Sequence, residues 1–517
     1  MSHCSRPSLR SKGAIPAAAL CARQKRGAGN GAFLSYHAAI AGLAAAPGEA
    51  GSIMESHTTN SIASACFGEL VQGAGNIRVE RVNTDSRQAQ AGDLFFALKG
   101  DRFDGHDFLN AVASQNAAAV VIERGRRPPI LPQCAVIVVD DTRRALGRLA
   151  AKYRKDFQLP VIAVSGSNGK TSTKDLIAAV LRQKLITLWS EASFNNDIGV
   201  PLTLLKLDRS HQAAVLEAGT NHPGELAPLV RMIAPRYGVI TNIGREHLEF
   251  FGDIAGVAQE EGSLAELLPA NGILFLNGDD TWSDHLASRT RARVVRVGLK
   301  DGNDWRIRSM RPDKHGVTFR VDAPDAEFAG DYRINLIGRH QAGNAMFAIA
   351  IGAELGLDHE TVQRGLADCQ PAKMRLQFWE HNGVRVLDDA YNANADSMLA
   401  ALQVLQEFPC KGRRVAVLGD MAELGAHSVA AHAEIGRRAA ELGVEQLFAV
   451  GRMAAAMAQA AREAGLNRVI ELADTESAVP ALKSFLKPGD VVLLKASRAT
   501  HLERIADALR GEAGKRN

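Results

Sequence analysis

Short apolar runs that alternate with helix-like segments are the feature that most constrains the fold of this chain. Between residues 158 and 370 the runs are VIAV, AAVLE, GVITN and GILFLN, and after residue 371 they are RVLDD, RVAVLGD, QLFAV and DVVLLKASR. Such runs are typical of buried strands, and a helical stretch follows each of them. The alternation predicts an α/β fold with two mainly parallel sheets that carry helices on both faces.

Three predicted domains follow from the places where this pattern changes. Residues 54–157 mix short apolar runs with Gly and Asp turns, which predicts a small N-terminal α/β domain. Residues 158–370 are predicted to form a central domain with a P-loop-type sheet, and residues 371–517 a C-terminal Rossmann-like domain. A chain of 517 residues is too long for a single core, so this division is expected.

The first 53 residues differ in composition from the rest. They contain six Lys and Arg residues, and no acidic residue occurs before Glu49. A transit peptide has this composition, and so does an upstream extension with little structure ahead of a start at Met54. Both interpretations leave residues 1–53 out of the fold.

Composition excludes several classes of protein. A net charge of +4 over the whole chain gives no basic surface for nucleic acid. The six cysteines are scattered without a CxxC pair, which is typical of a reducing compartment and argues against a disulfide framework or a zinc site. No run of 18 or more apolar residues occurs, so no membrane span is expected. We therefore expect a soluble cytoplasmic protein.

The segment SGSNGKTSTK, residues 165–174, lies between the run VIAV and a helix-like segment. A strand, a glycine loop and a helix start together make an anion site, because unpaired N–H groups and the helix dipole point at one spot. Lys170 would neutralise the outer phosphates of ATP, and the Thr171 hydroxyl would reach Mg²⁺. The competing interpretation is an ordinary turn with a surface lysine. The predicted ATP-binding residues of the loop are Gly166, Ser167, Asn168, Gly169, Lys170, Thr171 and Ser172.

Two further side chains follow predicted strands of the central domain. Glu217 ends the run AAVLE, and His247 comes shortly after the strand predicted at Gly238–Thr241. Because ligands bind outside the carboxyl ends of parallel strands, we expect both side chains on the same rim as the glycine loop. A carboxylate there would hold Mg²⁺. The alternatives are a surface glutamate at a strand end and a structural histidine.

Seven motifs in this chain resemble those of the Mur ligases and occur in the same order. They are GSNGKT, LEAGTNHPGE, ITNIGREHLEFFG, GRHQAGNAMFAIA, LDDAYNANADSM, LGDMAELG and LLKASR. The resemblance extends from Met54 to about Arg504. Within the family, FFALKGDRFDGHDF and DDAYNANADSM resemble the members that add D-alanyl-D-alanine, and the DNPR-type motif of the diaminopimelate-adding members is absent from the sequence.

The resemblance implies an activity with ATP and Mg²⁺. The terminal carboxylate of UDP-MurNAc-tripeptide would attack the γ-phosphorus of ATP, and the amine of D-Ala-D-Ala would then displace phosphate to form an amide. Lys170, Glu217 and His247 are the implied catalytic residues, and Thr171, Glu217 and His247 the implied metal ligands. A monomer in the cytoplasm is the family expectation.

The resemblance also implies the residues that bind the nucleotide sugar-peptide. Ser86 and Arg87, together with Phe96 and Leu98, resemble the uridine-nucleotide pocket of the first domain. Asn195 and Asn196 resemble the loop that meets the sugar-peptide, and a simple Asn turn is the alternative.

The remaining implied residues belong to ATP and to the incoming dipeptide. His340 and Asn344 match the adenine-side segment, and Arg375 matches an arginine that reaches the ATP phosphates across the domain gap. Solvated charges at a strand end are the alternative interpretation for Lys495 and Arg498. The residues implied at the ribose, at the closing interface or beside the dipeptide are Asp389, Tyr391, Asn392, Asn394, Lys495, Ser497 and Arg498.

Three positions depart from the pattern of the family. Gln341 stands where Asn is commoner, and Met374 stands where Gly usually precedes the arginine. Glu261, after Glu260, occupies the position at which many members carry a carbamylated lysine that helps to hold a second Mg²⁺. Either the Glu261 carboxylate replaces the carbamate, or both glutamates are exposed helix charges.

Other functions share parts of this pattern. A small-molecule kinase would have the same loop and Mg²⁺ ligands, but it would not need a second Rossmann-like domain with DDAYNAN. A non-catalytic relative would be expected to lose Lys170, Glu217 or His247, and all three are present. Within the ligases, the alternative is a sister enzyme that adds a different amino acid or peptide.

Overall fold

The computed structural model describes residues 52–126 and 131–511. Residues 1–51 of the predicted N-terminal extension lie outside the described residues. The described chain forms three sheets, one for each stretch that the sequence pattern separates. No described helix is both long enough and apolar enough to cross a membrane.

The N-terminal sheet has the strand order β1-β3-β4-β5-β6-β2. Strands β3 to β6 are parallel, and β1 and β2 pair antiparallel at the edges. The strands are β1 (Ser52–Thr58), β2 (Glu69–Gln72), β3 (Arg78–Asn83), β4 (Asp93–Phe96), β5 (Ala119–Glu123) and β6 (Ala135–Val139). The helices are α1 (Thr59–Cys66), α2 (Leu109–Ser114) and α3 (Thr142–Arg154).

The central sheet has nine strands in the order β15-β14-β13-β12-β11-β10-β7-β9-β8. The strands are β7 (Val161–Ser165), β8 (Thr187–Trp189), β9 (Ala213–Glu217), β10 (Tyr237–Ile240), β11 (Ile273–Asn277), β12 (Arg293–Gly298), β13 (Trp305–Asp313), β14 (Gly316–Asp322) and β15 (Gly330–Ile334). The helices are α4 (Lys170–Leu181), α5 (Gly199–Leu204), α6 (Leu226–Ile233), α7 (Leu248–Phe251), α8 (Ile254–Leu267), α9 (Ser283–Ser288), α10 (His340–Glu354) and α11 (His359–Asp368). Strands β13 to β15 form an antiparallel extension that the sequence pattern did not predict.

The C-terminal sheet has the order β16-β17-β21-β18-β19-β20 and is parallel except for β16. The strands are β16 (Gln377–His381), β17 (Val384–Asp388), β18 (Arg414–Gly419), β19 (Gln446–Val450), β20 (Val469–Leu472) and β21 (Val491–Lys495). The helices are α12 (Ala395–Glu407), α13 (Ser428–Glu441), α14 (Ala454–Glu463), α15 (Thr475–Phe485) and α16 (Glu503–Leu509).

Burial explains why the apolar runs became strands. All five residues of β7, of β9 and of β21 are buried, as expected for strands that helices cover on both faces. Helices α4 and α10 cover one face of the central sheet, and their buried residues belong to the same apolar cluster as Ile162, Val164 and Val215. The predicted three-domain α/β fold with mainly parallel sheets is confirmed.

Candidate active site

The parallel register of the central sheet brings three loops to one edge. Val164 of β7 lies opposite Glu217 of β9, and Ser165 lies opposite Ile240 of β10. The glycine loop, the end of β9 and the segment after β10 therefore leave the sheet side by side. This is the rim on which the sequence predicted a ligand site.

The glycine loop is held closely against the segment after β10. Gly166 has a φ of 110°, and a Cβ atom there would lie 2.5 Å from the Thr241 hydroxyl oxygen, so only glycine fits. The Asn242 side chain accepts from the backbone N–H of Asn168 at 3.0 Å and donates to its carbonyl at 2.8 Å. Contacts within the protein therefore fix the shape of the loop.

Lys170 lies within this loop rather than on the surface. Its Nζ donates to the carbonyls of Gly166 and Ser167 at 2.5 and 3.3 Å, and to Glu246 Oε2 at 3.3 Å. Burial alone would lower the pKa of Lys170, but the carboxylates of Glu246, Glu261 and Glu217 outweigh burial and raise the pKa. The interpretation as a surface lysine is therefore wrong.

The carboxylates around Lys170 are buried and incompletely bonded. Glu217 is 1% exposed; its Oε1 accepts from Asn195 Nδ2 at 2.9 Å. The interpretation of Glu217 as a surface residue is therefore wrong. Glu261 is fully buried, and its Oε2 accepts from the Ser165 hydroxyl at 2.6 Å and from the Gly166 N–H at 2.8 Å. Glu217 Oε2, Glu246 Oε1 and Glu261 Oε1 have no hydrogen-bond partner.

Glu261 and its neighbour are not exposed helix charges, so that alternative is wrong. Burial raises the pKa of Glu261 to about 7, since its interaction with Lys170 offsets only part of the desolvation. Glu260 is 7% exposed and accepts from the backbone N–H groups of Gly224 and Leu226, both at 2.8 Å. Glu260 therefore braces the start of α6, whereas Glu261 faces the glycine loop.

The donor set fits Mg²⁺ in part. Within the described ranges, no three His, Cys, Asp or Glu side chains are close enough to hold a metal ion by themselves. However, Thr171 Oγ1 is buried without a partner, as are the three glutamate oxygens. Mg²⁺ in nucleotide sites takes one or two protein oxygens, several waters and the phosphates. These residues therefore fit an ion that binds with a nucleotide.

His247 connects the central domain to the C-terminal domain. Its Nδ1 donates to Glu423 Oε2, and its Nε2 lies 3.9 Å from Glu246 Oε2. Burial would lower the pKa of His247, but the hydrogen bond with Glu423 and the charges of Glu246 and Glu423 raise it. The backbone N–H of Glu249 also donates to the Glu423 carbonyl at 3.0 Å.

A cavity of about 370 Å³ lies between these two domains. Most of the predicted site residues line it, from both sides. They are Ser167, Asn168, Gly169, Lys170, Thr171, Ser172, Asn195, Glu217, His247, His340, Asn344, Arg375, Asp389, Tyr391, Asn392, Asn394, Lys495, Ser497 and Arg498.

The C-terminal wall of the cavity contains a buried ion pair. Lys495 is 2% exposed, and its Nζ donates to Asp389 Oδ2 at 2.5 Å and to the Asn392 carbonyl at 3.1 Å. Burial lowers the pKa of Lys495, and the Asp389 carboxylate offsets only part of this effect. Solvated strand-end charge is therefore the wrong description of Lys495. Arg498 is partly buried and pairs with Glu503 at 3.2 Å.

Two further contacts order this wall. The Arg375 guanidinium carbon lies 4.1 Å from the centre of the Tyr391 ring, a cation–π distance. Asn394 caps the N-terminus of α12 and donates through Nδ2 to Asn168 Oδ1 at 2.9 Å, so the start of this helix touches the glycine loop.

Several predicted residues do not line the cavity. Ser86 and Arg87 lie in the N-terminal domain at a short turn after β3, where Arg87 pairs with Asp85 at 2.7 Å. The Phe96 side chain is fully buried in the core of that domain, so the ring is not free to contact a ligand. Asn196 Oδ1 accepts from the N–H groups of Ile198 and Gly199 at 3.2 and 2.8 Å, as in the simple Asn turn.

The sequence reasoning missed four residues of the site. Glu246 and Arg245 directly precede His247, and Asn242 lies in the same motif; all three were quoted without a role. Glu423 lies in LGDMAELG, also quoted without a role. For Glu246 the available signal was an acidic residue directly beside the predicted ligand His247, and the other three residues carried no such signal.

Comparisons with known proteins agree with this geometry. The chain matches the Mur ligase family catalytic domain over residues 78–154, the Mur ligase middle domain over residues 164–352 and the glutamate ligase domain of Mur ligases over residues 374–498. The chain belongs to the Mur ligase family.

Two relatives within the family carry the same name. The UDP-N-acetylmuramoyl-tripeptide–D-alanyl-D-alanine ligase of Escherichia coli K12 is 38% identical over 466 residues, which cover 88% of this chain and 99% of that protein. The Bacillus subtilis ligase of the same name is 35% identical, and the match covers 83% of this chain and 93% of that protein.

Solved structures of this ligase, MurF, are also similar. MurF from Acinetobacter baumannii superposes with a TM-score of 0.80 at 32% identity and covers 88% of this chain and 99% of its own. MurF from Thermotoga maritima, solved in complex with ADP, gives a TM-score of 0.73 at 27% identity and covers 84% and 98%.

Proposed function

We propose that this protein is the ATP-dependent ligase that joins D-alanyl-D-alanine to UDP-MurNAc-tripeptide, giving UDP-MurNAc-pentapeptide, ADP and phosphate for peptidoglycan synthesis. The observation that carries the proposal is the cavity in which Lys170, Glu217 and Glu246 of the central domain face Arg375 and Lys495 of the C-terminal domain. The names of the similar proteins support the choice of substrates.

ATP would bind along the glycine loop. The N–H groups at the start of α4 and Lys170 would hold its β- and γ-phosphates, with His340 and Asn344 on the adenine side and Arg375 and Asp389 opposite. Thr171, Glu217 and His247 would hold Mg²⁺, with Glu246 as a further carboxylate. Mg²⁺ supplies charge neutralisation for phosphoryl transfer when it is bound.

The reaction would proceed in two displacements. A carboxylate oxygen of the tripeptide forms a bond to the γ-phosphorus while the bond to the β-phosphate oxygen breaks, which releases ADP and leaves an acyl phosphate. The neutral amine nitrogen of D-Ala-D-Ala then attacks the acyl carbon, the bond from this carbon to the phosphate oxygen breaks, and the nitrogen passes one proton to the departing phosphate. Lys170 and Arg375 would stabilise the charge on the transferred group.

The two co-substrates would enter from different domains. Ser86 and Arg87 of the N-terminal domain would bind the uridine diphosphate, and Asn195, beside Glu217, would meet the sugar-peptide; Asn196 would fix the turn that presents it. Tyr391, Asn392, Asn394, Lys495, Ser497 and Arg498 would surround the dipeptide or close the cavity over it. The intermediate would be shielded from water there.

Glu261 would do the work of the family's carbamylated lysine. Its buried position against Ser165 and Gly166, with Oε1 unpartnered, supports this role. Activity would then be independent of bicarbonate. Bicarbonate-dependent turnover, or full activity in Glu261→Ala, would contradict the role.

Phosphate release by the purified protein tests the function. The reaction contains ATP, Mg²⁺, UDP-MurNAc-tripeptide and D-Ala-D-Ala, and each component is left out in turn. Release that requires both co-substrates is expected. Release with another amine and not with D-Ala-D-Ala would make the protein a sister ligase, and no release under any combination would contradict ligase activity.

A further inference from the structure

Glu423 and His247 form a side-chain contact across the boundary between the central and C-terminal domains. The ring Nδ1 of His247 donates to the Glu423 carboxylate, and the Glu249 N–H donates to the Glu423 carbonyl at 3.0 Å. Both side chains are largely buried, at 13% and 16% exposure. The Glu423 carboxylate of the C-terminal domain therefore fixes the imidazole ring of His247 in the central domain.

The backbones on both sides of this contact have unusual conformations. His247 has a φ of 49° and Glu423 a φ of 60°, both in the left-handed region, although neither residue is glycine. Residues with a Cβ persist there only where their surroundings determine the conformation, and such residues cluster at functional sites. Two of them face each other here.

The hydrogen bond to Glu423 decides which ring nitrogen of His247 is available. In the neutral ring that binds a metal, a proton on Nδ1 that points to a carboxylate leaves Nε2 as the free nitrogen, and Nε2 is on the side of Glu246, which contacts Lys170. A partner of this kind orients metal-binding histidines and strengthens their ligation.

We propose that Glu423 is a positioning residue that the C-terminal domain supplies for His247, so that contact between the two domains completes the phosphate and metal side of the cavity. This inference rests on the proposed function, which makes His247 a ligand of Mg²⁺. Glu423 itself touches neither ATP nor the reacting atoms in this role.

The alternative to a positioning role is that Glu423 only joins the two domains. The same interface provides a matched control for this alternative. Arg245 pairs with Glu434 at 2.6 Å and with Asp396 at 2.7 Å, both in the C-terminal domain. Glu434 therefore bridges the same two domains through a carboxylate, but it does not contact His247.

Mn²⁺ binding to the full-length protein in the presence of ADP tests this role of Glu423. The decrease of the EPR signal of free Mn²⁺ measures the binding. Glu423→Ala is expected to weaken Mn²⁺ binding by about 10- to 100-fold. Glu423→Gln is expected to restore most of it, because the amide oxygen still accepts from Nδ1. Glu434→Ala is expected to bind Mn²⁺ like the wild type.

Three results would overturn the proposal. The first is unchanged Mn²⁺ binding in Glu423→Ala, and the second is an equal loss of binding in Glu423→Gln and Glu423→Ala. The third is a loss in Glu434→Ala as large as in Glu423→Ala, which would indicate that Glu423 only joins the two domains. Steady-state kinetics add a second readout, with kcat expected to fall more than KM for ATP rises. Wild-type protein that binds Mn²⁺ and ADP but never releases phosphate would contradict the proposed function and leave this test valid.

Discussion

The two walls of the cavity surround their buried lysines with different amounts of negative charge. Lys170 of the central domain interacts with three carboxylates, which raise its pKa, whereas Lys495 of the C-terminal domain pairs with Asp389, and burial lowers its pKa. The central wall therefore carries surplus negative charge that a cation and a phosphate-bound metal can neutralise. In the C-terminal wall, the charges of Lys495 and Asp389 balance each other. The charge around each lysine therefore predicts a different consequence of its removal.

Removal of Lys170 is the strongest test of this comparison. Lys170→Met leaves Glu217 and Glu246 facing the transferred phosphate, so we expect kcat to fall by about 10²- to 10³-fold, the size seen when a group that stabilises transition-state charge is lost. Phosphate release under saturating substrates measures it. A loss below tenfold would mean that Lys170 does not contact the transferred group.

Removal of Lys495, which the proposed function also places at the dipeptide side of the cavity, should lower the stability of the fold. Lys495→Met leaves the Asp389 carboxylate buried without its partner, which typically costs about 3–5 kcal/mol. Urea unfolding measures the change. The double variant Lys495→Met/Asp389→Asn should recover much of the loss, and an equal loss in the double variant would show that the two charges are not coupled.

Local patterns predicted most of the central wall. The glycine loop that leads to Thr171 follows the buried strand β7, and Glu217 ends the buried strand β9, so strand order alone places them on one rim. Glu246 and Glu423 could not be found in this way. Their roles depend on Lys170 and His247, which are 76 and 176 residues away in the sequence, and on the packing of two domains.

One departure from the family pattern gains a physical explanation. Met374, at the position where the family usually has Gly, has a φ of 59°, and Leu376 on the other side of Arg375 has a φ of 49°. Glycine is common at such a position because it has no Cβ. The Met374 side chain is buried and lies 3.9 Å from an Arg498 nitrogen, so packing holds the strained backbone. The sequence alone showed the substitution but not the conformation.

Asp388 is buried beside Asp389 but does not line the cavity, and it tests how a carboxyl behind the C-terminal wall titrates. Burial raises the pKa of Asp388 from 3.8 to about 6, and the neighbouring Arg510 only partly offsets this. A raised carboxyl pKa stabilises the folded state below pH 3.8, and this contribution is lost as the pH rises through about 6. Asp388→Asn should therefore be more stable than the wild type by up to about 3 kcal/mol above pH 6 and similar at pH 4. Unfolding at both pH values measures it, and a pH-independent difference would contradict the shift.

The ion pair between Arg245 and Glu434 should give the smallest effect, because it lies between the walls and reaches solvent. The side chains are 27% and 32% exposed, and pairs of this kind contribute about 1 kcal/mol or less. Glu434→Gln should therefore change KM for ATP by less than about fivefold, since 1 kcal/mol corresponds to about that ratio. The dependence of KM on salt should also weaken, because one screened pair between the domains is gone. A larger change in KM for ATP, or an unaltered salt dependence, would contradict the description of Arg245 and Glu434 as a weak, solvent-screened ion pair between the domains.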